Sequence, residues 1–170
     1  MTSTAALCVV PIRFFAVDFQ LHLETESVEQ AHPTKPVCVL PEDSIRHVMR
    51  VLKTSSTGAA MVCRDGKLEG IFTERDALRH LADGSDLEVP VSTVMVKQPV
   101  SIRMSESVGK AISLMSSGKF RQLPVVDGQG HVTGVVGAAG VLRYLVEHFP
   151  RIIYTLPPSP HHKMETKDGG

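Results

Sequence analysis

Gly70-Ile71-Phe72-Thr73-Glu74-Arg75-Asp76-Ala77-Leu78-Arg79 is the stretch on which the fold turns. An apolar strand end, Ile71-Phe72, runs into a polar corner and then into a helix. Thr73 stands where an N-cap belongs. Asp76, three residues later, completes a capping-box spacing with Asp in place of the usual Glu. Capping alone accounts for both side chains and is the commoner use of such a corner. A second use is open. A helix N-terminus beside a strand end is a natural anion site, and a hydroxyl with a carboxylate can hold a ribose. Glu74 reads as a helix-surface charge.

Upstream of the corner, residues 37–40 form a short apolar strand. Pro41-Glu42-Asp43-Ser44 then opens a helix with acidic residues and a capping side chain in its first turn. Ile45, Val48, Met49 and Leu52 give that helix one buried face. Residues 59–63 are a wholly apolar strand, and Arg64-Asp65-Gly66-Lys67 is a hairpin turn carrying the Asp-Gly signal. Residues 68–72 return, and a helix from Thr73 to about Ala82 closes the unit. The order is strand, helix, strand, strand, helix.

Downstream, the unit starts again. Pro99-Val100-Ser101-Ile102 matches Pro36-Val37-Cys38-Val39 at an offset of 63, and Ser107 matches Ser44. The face Val108, Ala111, Ile112, Met115 falls at the same offset. Past the second hairpin the offset is 64: Gly134 matches Gly70, and Val141-Leu142-Arg143 matches Ala77-Leu78-Arg79. The extra residue lies in the turn Asp127-Gly128-Gln129-Gly130-His131, where insertions cost little. A register kept through two helices and broken only in a loop marks a tandem repeat.

The 170 residues suffice for one ordinary domain or two small ones, and 42% apolar content supports a core that is aliphatic, since aromatics make up 5% and Trp is absent. Eighteen basic residues balance eighteen acidic ones. That balance argues against nucleic acid or an anionic membrane as partner. Cys8, Cys38 and Cys63 make neither a disulfide framework nor a zinc knuckle, which fits a reducing cytoplasm. Cys38 and Cys63 read as small buried residues. No apolar run is long enough to span a membrane, and the apolar N-terminus lacks the basic start of a signal peptide. Phe14, Phe15, Val17 and Phe19 suit a strand or a packed arm, and a short helical turn is expected at 25–31. After Phe149-Pro150, Ile152, Ile153 and Tyr154 suit packing on the body. The proline-rich remainder, with His161-His162, reads as an extended solvated tail.

Across residues 28 to 149 the paired units resemble a tandem of cystathionine-β-synthase-type (CBS) domains, the Bateman module. The resemblance rests on Gly70-Ile71-Phe72-Thr73-Glu74-Arg75-Asp76, on Met95 followed by Pro99-Val100, and on Leu123-Pro124-Val125-Val126-Asp127 with Gly134-Val135-Val136. His148-Phe149-Pro150 and Leu156-Pro157-Pro158 are similar to tails of free-standing bacterial CBS-pair proteins. The resemblance implies an α/β chain of two β-α-β-β-α repeats packed as a pseudo-twofold module. Its expected parts are an arm (1–27), repeat 1 (28–87), repeat 2 (88–149) and a tail (150–170).

In that family the Ser/Thr and Asp of the corner bind phosphate and ribose of adenosine ligands: AMP, ADP, ATP, sometimes NAD or S-adenosylmethionine. Thr73 and Asp76 occupy those places. The resemblance puts the base against Gly58, Ala59 and Ala60, with Val39 and Leu40 as apolar wall. It puts Arg121, with Gln122 beside it, at the phosphates, and Lys119 competes with Arg121 for that place. In the second repeat Gly137 and Gly140 replace Thr73 and Asp76, so one nucleotide per chain is expected. Restoring Thr and Asp there creates a second site if the backbone is otherwise competent.

The resemblance implies a regulatory, non-catalytic protein that requires no cofactor, binds an adenine nucleotide and acts through an effector protein. Rival readings are an interaction module with a decayed site and an enzyme using Cys63 or His47. The helix faces in 45–52 and 108–115 are the candidate surfaces for a homodimer.

Overall fold

The computed structural model describes residues 23–150. The arm up to residue 22 and the tail beyond 150, with Cys8, the arm phenylalanines, Ile152, Ile153, Tyr154 and His161-His162, lie outside the described residues. Among the described residues, no helix is long and apolar enough to cross a membrane.

The first repeat contains β1 (Cys38–Val39), α1 (Ile45–Ser55), β2 (Ala59–Arg64), β3 (Lys67–Thr73) and α2 (Glu74–Ala82). Ser44 caps α1 by accepting from the His47 amide at 3.2 Å. Ser56, left-handed at φ 49°, ends it. Asp65 and Gly66 have φ values of 50° and 78°, the positive pair that a two-residue hairpin requires. Strand order is β1-β2-β3-β4, with β4 being Val96–Lys97. The β1–β2 pair is parallel and the others antiparallel.

The second repeat contains α3 (Val108–Gly118), β5 (Gln122–Val126), β6 (Val132–Gly137) and α4 (Ala138–His148). Ser107 caps α3 as Ser44 caps α1. The strand expected near Ser101 and Ile102 is reduced to one parallel bridge, Ile102 to Val125.

Each repeat is completed by the segment that leads into the other. Val28–Ala31 forms a 3-10 turn whose Val28 amide donates to Glu106 O at 2.8 Å, beside the start of α3. Val91–Thr93 forms the matching turn, and the Val91 amide donates to Asp43 O at 2.8 Å, beside the start of α1. Val28 and Ala31 are buried in the core of the second repeat with Ile102, Val108, Leu123 and Tyr144. Val91 is buried in the first, with Ile45, Val48 and Phe72. The exchange extends to the sheets: Val96 pairs with Ile71 on β3, and Thr34 bridges Val135 on β6. A third cluster, Ala59, Met61 and Cys63 of β2 with Val135, lies where the two sheets face each other. The hairpin tips meet there too, with the Leu68 amide donating to Gly130 O and the Val132 amide to Gly66 O.

The expected dimer faces need correction. Ile45, Val48 and Leu52 are 0–4% exposed and Val108, Ala111 and Met115 0–9% exposed, each set spent inside its own repeat. On the helices, the exposed leucines are Leu78 and Leu81 of α2 and Leu142 of α4.

Candidate functional site

The corner after β3 is built as a full capping box. Thr73 Oγ1 accepts from the Asp76 amide at 3.3 Å, and Asp76 Oδ2 accepts from the Thr73 amide at 3.0 Å. The Thr73 hydroxyl also donates to Oδ2, at 2.7 Å. The cap therefore occupies Oδ2. The other oxygen, Oδ1, has the Arg79 guanidinium 3.9 Å away. The Asp76 side chain is 14% exposed, so this carboxylate is presented at a partly dried surface.

Across the sheet, Ala59 pairs with Thr73, which brings Gly58 opposite Glu74. The Glu74 amide donates to Gly58 O at 3.1 Å. A side chain at Gly58 would begin 3.5 Å from Glu74 Oε2 and 3.8 Å from Gln122 Nε2. Two side chains from different repeats thus meet over a residue that has none. Gln122 Oε1 is buried and has no hydrogen-bond partner. A buried acceptor left unpaired costs about 1–3 kcal/mol, which an entering donor would recover.

The remaining expected residues divide by strand alternation. Ala59 faces the other repeat and Ala60 the helices, so Ala60 is buried in the first core. Val39 is buried in that core as well, while Leu40 is 57% exposed. The side chains of Val39 and Ala60 therefore form no cleft wall. Arg121 is exposed, and its carbonyl accepts from the Ala138 amide at 2.9 Å, repeating the Gly58–Glu74 bond. Glu74 is the residue that sequence reasoning missed: it borders Gly58 and Gln122 instead of standing alone on the helix surface.

The second corner is different. Gly137 caps α4 without a side chain, and a Cβ there would meet only Arg121 O, at 3.8 Å. At Gly140 a Cβ would lie 2.4 Å from Ala31 O and 3.3 Å from His32 O. The place of a ribose-binding carboxylate is filled by backbone of the lead-in turn. The turn is held there by the Val28 bond to Glu106 O, by Thr34 bonding both ways to Val135, and by His32 Nε2 at 2.8 Å from Glu147 Oε2. The condition set for restoring a second site with Thr and Asp, a competent backbone, requires this turn to shift away from position 140.

Cys38 is exposed, against the expectation that it is buried, and its sulfur is 3.5 Å from that of Cys63. His47 is exposed on α1.

Two reciprocal repeats with a capped strand-to-helix corner define a CBS pair. A family model described as the CBS domain matches residues 28–83 and 91–147. The chain belongs to that family. It is 37% identical over 111 residues to the CBS domain-containing protein YhcV of Bacillus subtilis, covering 65% of this chain and 79% of that one. It is 34% identical over 105 residues to the CBS domain-containing protein CBSCBSPB1 of Arabidopsis thaliana, covering 61% of this chain but only 19% of the much longer relative. Among solved structures, it is similar to the CBS domain protein PAE2072 from Pyrobaculum aerophilum complexed with AMP. There the TM-score is 0.65 at 22% identity, covering 75% of this chain and 96% of that one. It is also similar to the CBS domain pair of protein MJ0100 in complex with 5-methylthioadenosine and S-adenosyl-L-methionine. Here the TM-score is 0.66 at 22% identity, covering 72% and 98%.

Proposed function

We propose that the chain senses an adenine nucleotide of the AMP, ADP or ATP type at the first-repeat cleft and passes the signal to a partner protein. The observation that carries the reading is the strand pairing that sets Gly58 beside the capped corner Thr73–Asp76, with Gln122 of the other repeat against Gly58. Asp76 Oδ1 is left outside the cap and can accept from ribose hydroxyls. Gln122, whose Nε2 lies towards Gly58, also carries an unpartnered acceptor, Oε1, which suits an amino group such as adenine's. Arg121 is the exposed cation for a phosphate. Solved relatives that hold AMP, 5-methylthioadenosine or S-adenosyl-L-methionine support the adenosyl part of the ligand.

The module acts as a binding protein rather than an enzyme, in the cytoplasm, as a homodimer. A groove lined by Met49, Leu52, Ala77, Leu78 and Leu81, rimmed by Lys53 and Glu74, supports a second copy as the occupant. Leu142, the counterpart of Leu78 in the second repeat, is also exposed. Light scattering at micromolar concentration should read twice the chain mass, and Leu78→Lys should halve it. A monomer mass for the unaltered chain overturns the dimer.

Mass spectrometry of small molecules released from the native protein, followed by thermal shift with a nucleotide panel, tests the ligand. An adenine species that raises the melting temperature in the unaltered chain but not in Asp76→Ala supports the reading. No shift with any adenine compound contradicts it and favours an interaction module with a lost site.

A further inference from the structure

Cys38 and Cys63 stand on neighbouring parallel strands, and their sulfurs are 3.5 Å apart. The register pairs Cys38 with Met61, so Cys63, two residues further on, lies on the same face of the sheet. Cys38 is exposed, and Cys63 is 4% exposed behind it. The Cys63 thiol donates to the Cys38 sulfur. That bond lowers the Cys38 pKa to about 7, outweighing the effect of burial. Holding that proton, together with burial, pushes the Cys63 thiol far up. The two sulfurs are therefore unequal: an accessible thiol with a lowered pKa in front and a buried, protonated thiol behind.

We propose that Cys38 and Cys63 form a reversible redox dithiol, with Cys38 as the attacking thiol towards a low-molecular-mass disulfide and Cys63 as the resolving thiol. In the first step the Cys38 thiolate attacks one sulfur of glutathione disulfide. A Cys38–glutathione bond forms, the glutathione S–S bond breaks, and one glutathione thiolate leaves. In the second step the Cys63 sulfur attacks Cys38, and its proton passes to the second departing glutathione. From the thiolate–thiol pair the protein loses two electrons and the one Cys63 proton, and glutathione disulfide departs as one thiolate and one thiol. β1 is two residues long and pairs only with β2, so it can shift to bring the sulfurs to a bond length of about 2.05 Å. The β2–β3 pairing need not move.

The test uses the full chain and its Cys8→Ser, Cys38→Ser and Cys63→Ala variants, reduced and then exposed to glutathione disulfide at neutral pH. Samples are quenched with an alkylating agent, weighed intact and mapped as peptides. The unaltered chain and Cys8→Ser should lose two alkylatable thiols, retain no glutathione, and yield a linked Cys38–Cys63 peptide that reductant reverses. Cys63→Ala should accumulate one glutathione on Cys38. Cys38→Ser should react at Cys63 slower by roughly tenfold or more, because a buried protonated thiol is a poor nucleophile. Peptide mapping of the unaltered chain stands even if a variant folds poorly. Glutathione retained on Cys38 with Cys63 still free, a link through Cys8 instead, or no reaction at all would each overturn the dithiol.

Discussion

The corner at Thr73–Asp76 and the corner at Gly137–Gly140 sit at the same place in two copies of one unit, yet they do opposite things. At the first, Asp76 closes a capping box with one oxygen and leaves the other outside it. At the second, the place of that carboxylate is taken by Ala31 O, with a Cβ position only 2.4 Å away. The difference is steric as well as chemical. A pseudo-twofold fold presents two equivalent corners, but the lead-in turn that completes the second repeat also fills its corner.

The largest effect should come from forcing the second corner to resemble the first. Gly140→Asp drives a side chain against backbone and should destabilise the fold by about 3 kcal/mol, read by thermal or urea melting, without creating a second site. Were it to fold normally and bind a second nucleotide, the steric account would fall.

Asp76→Ala should weaken nucleotide binding by about 2 kcal/mol in calorimetry and, through the lost cap, lower stability by about 1 kcal/mol. Glu74→Ala makes a poor control for it, since Glu74 borders Gly58. Arg143→Ala, on the exposed face of α4, should leave both quantities unchanged. Equal affinity in Asp76→Ala and Arg143→Ala would remove Asp76 from the site.

The exchange of lead-in segments makes a symmetric demand. Val28 and Val91 are both fully buried, each in the other repeat's core. Val28→Ala and Val91→Ala should each cost about 2 kcal/mol from lost methyl burial and the cavity left behind. A surface-like loss in one of them would show that the exchange is one-sided.

The smallest effect belongs to Gly137→Thr. Room exists there, and Gly and Thr are near-equal N-caps, so melting should move by only a few tenths of a kcal/mol.

How much of this was legible in the sequence depends on range. The repeat, both hairpins, the Ser44 and Ser107 caps and the Thr73–Asp76 box follow from local spacing, and each is present. The role of Glu74 was not legible because of a bulge. Counting back from the Asp65-Gly66 turn puts Gly58 opposite Thr73, but the register slips between Val62 and Cys63 and puts it opposite Glu74. The inward turn of Val39, expected as cleft wall, and of Ala60, expected against the base, is not legible because an apolar strand reads the same on both faces; only their pairing to Val62 and Phe72 decides which residues turn inward. The contact of Ala31 with Gly140 joins residues more than a hundred positions apart through backbone atoms, and no side-chain pattern records it. On the helix faces expected to pair two chains, Ile45, Val48, Val108 and Ala111 are buried in the repeat cores beside the lead-in turns, while Met49 and Leu52 line the groove along α2.

The most direct test of the central claim, that the two corners differ in what they can hold, is titration calorimetry of the unaltered chain with AMP, ADP and ATP. The account predicts one adenine nucleotide per chain, lost in Asp76→Ala. Two sites per chain of similar affinity would contradict it.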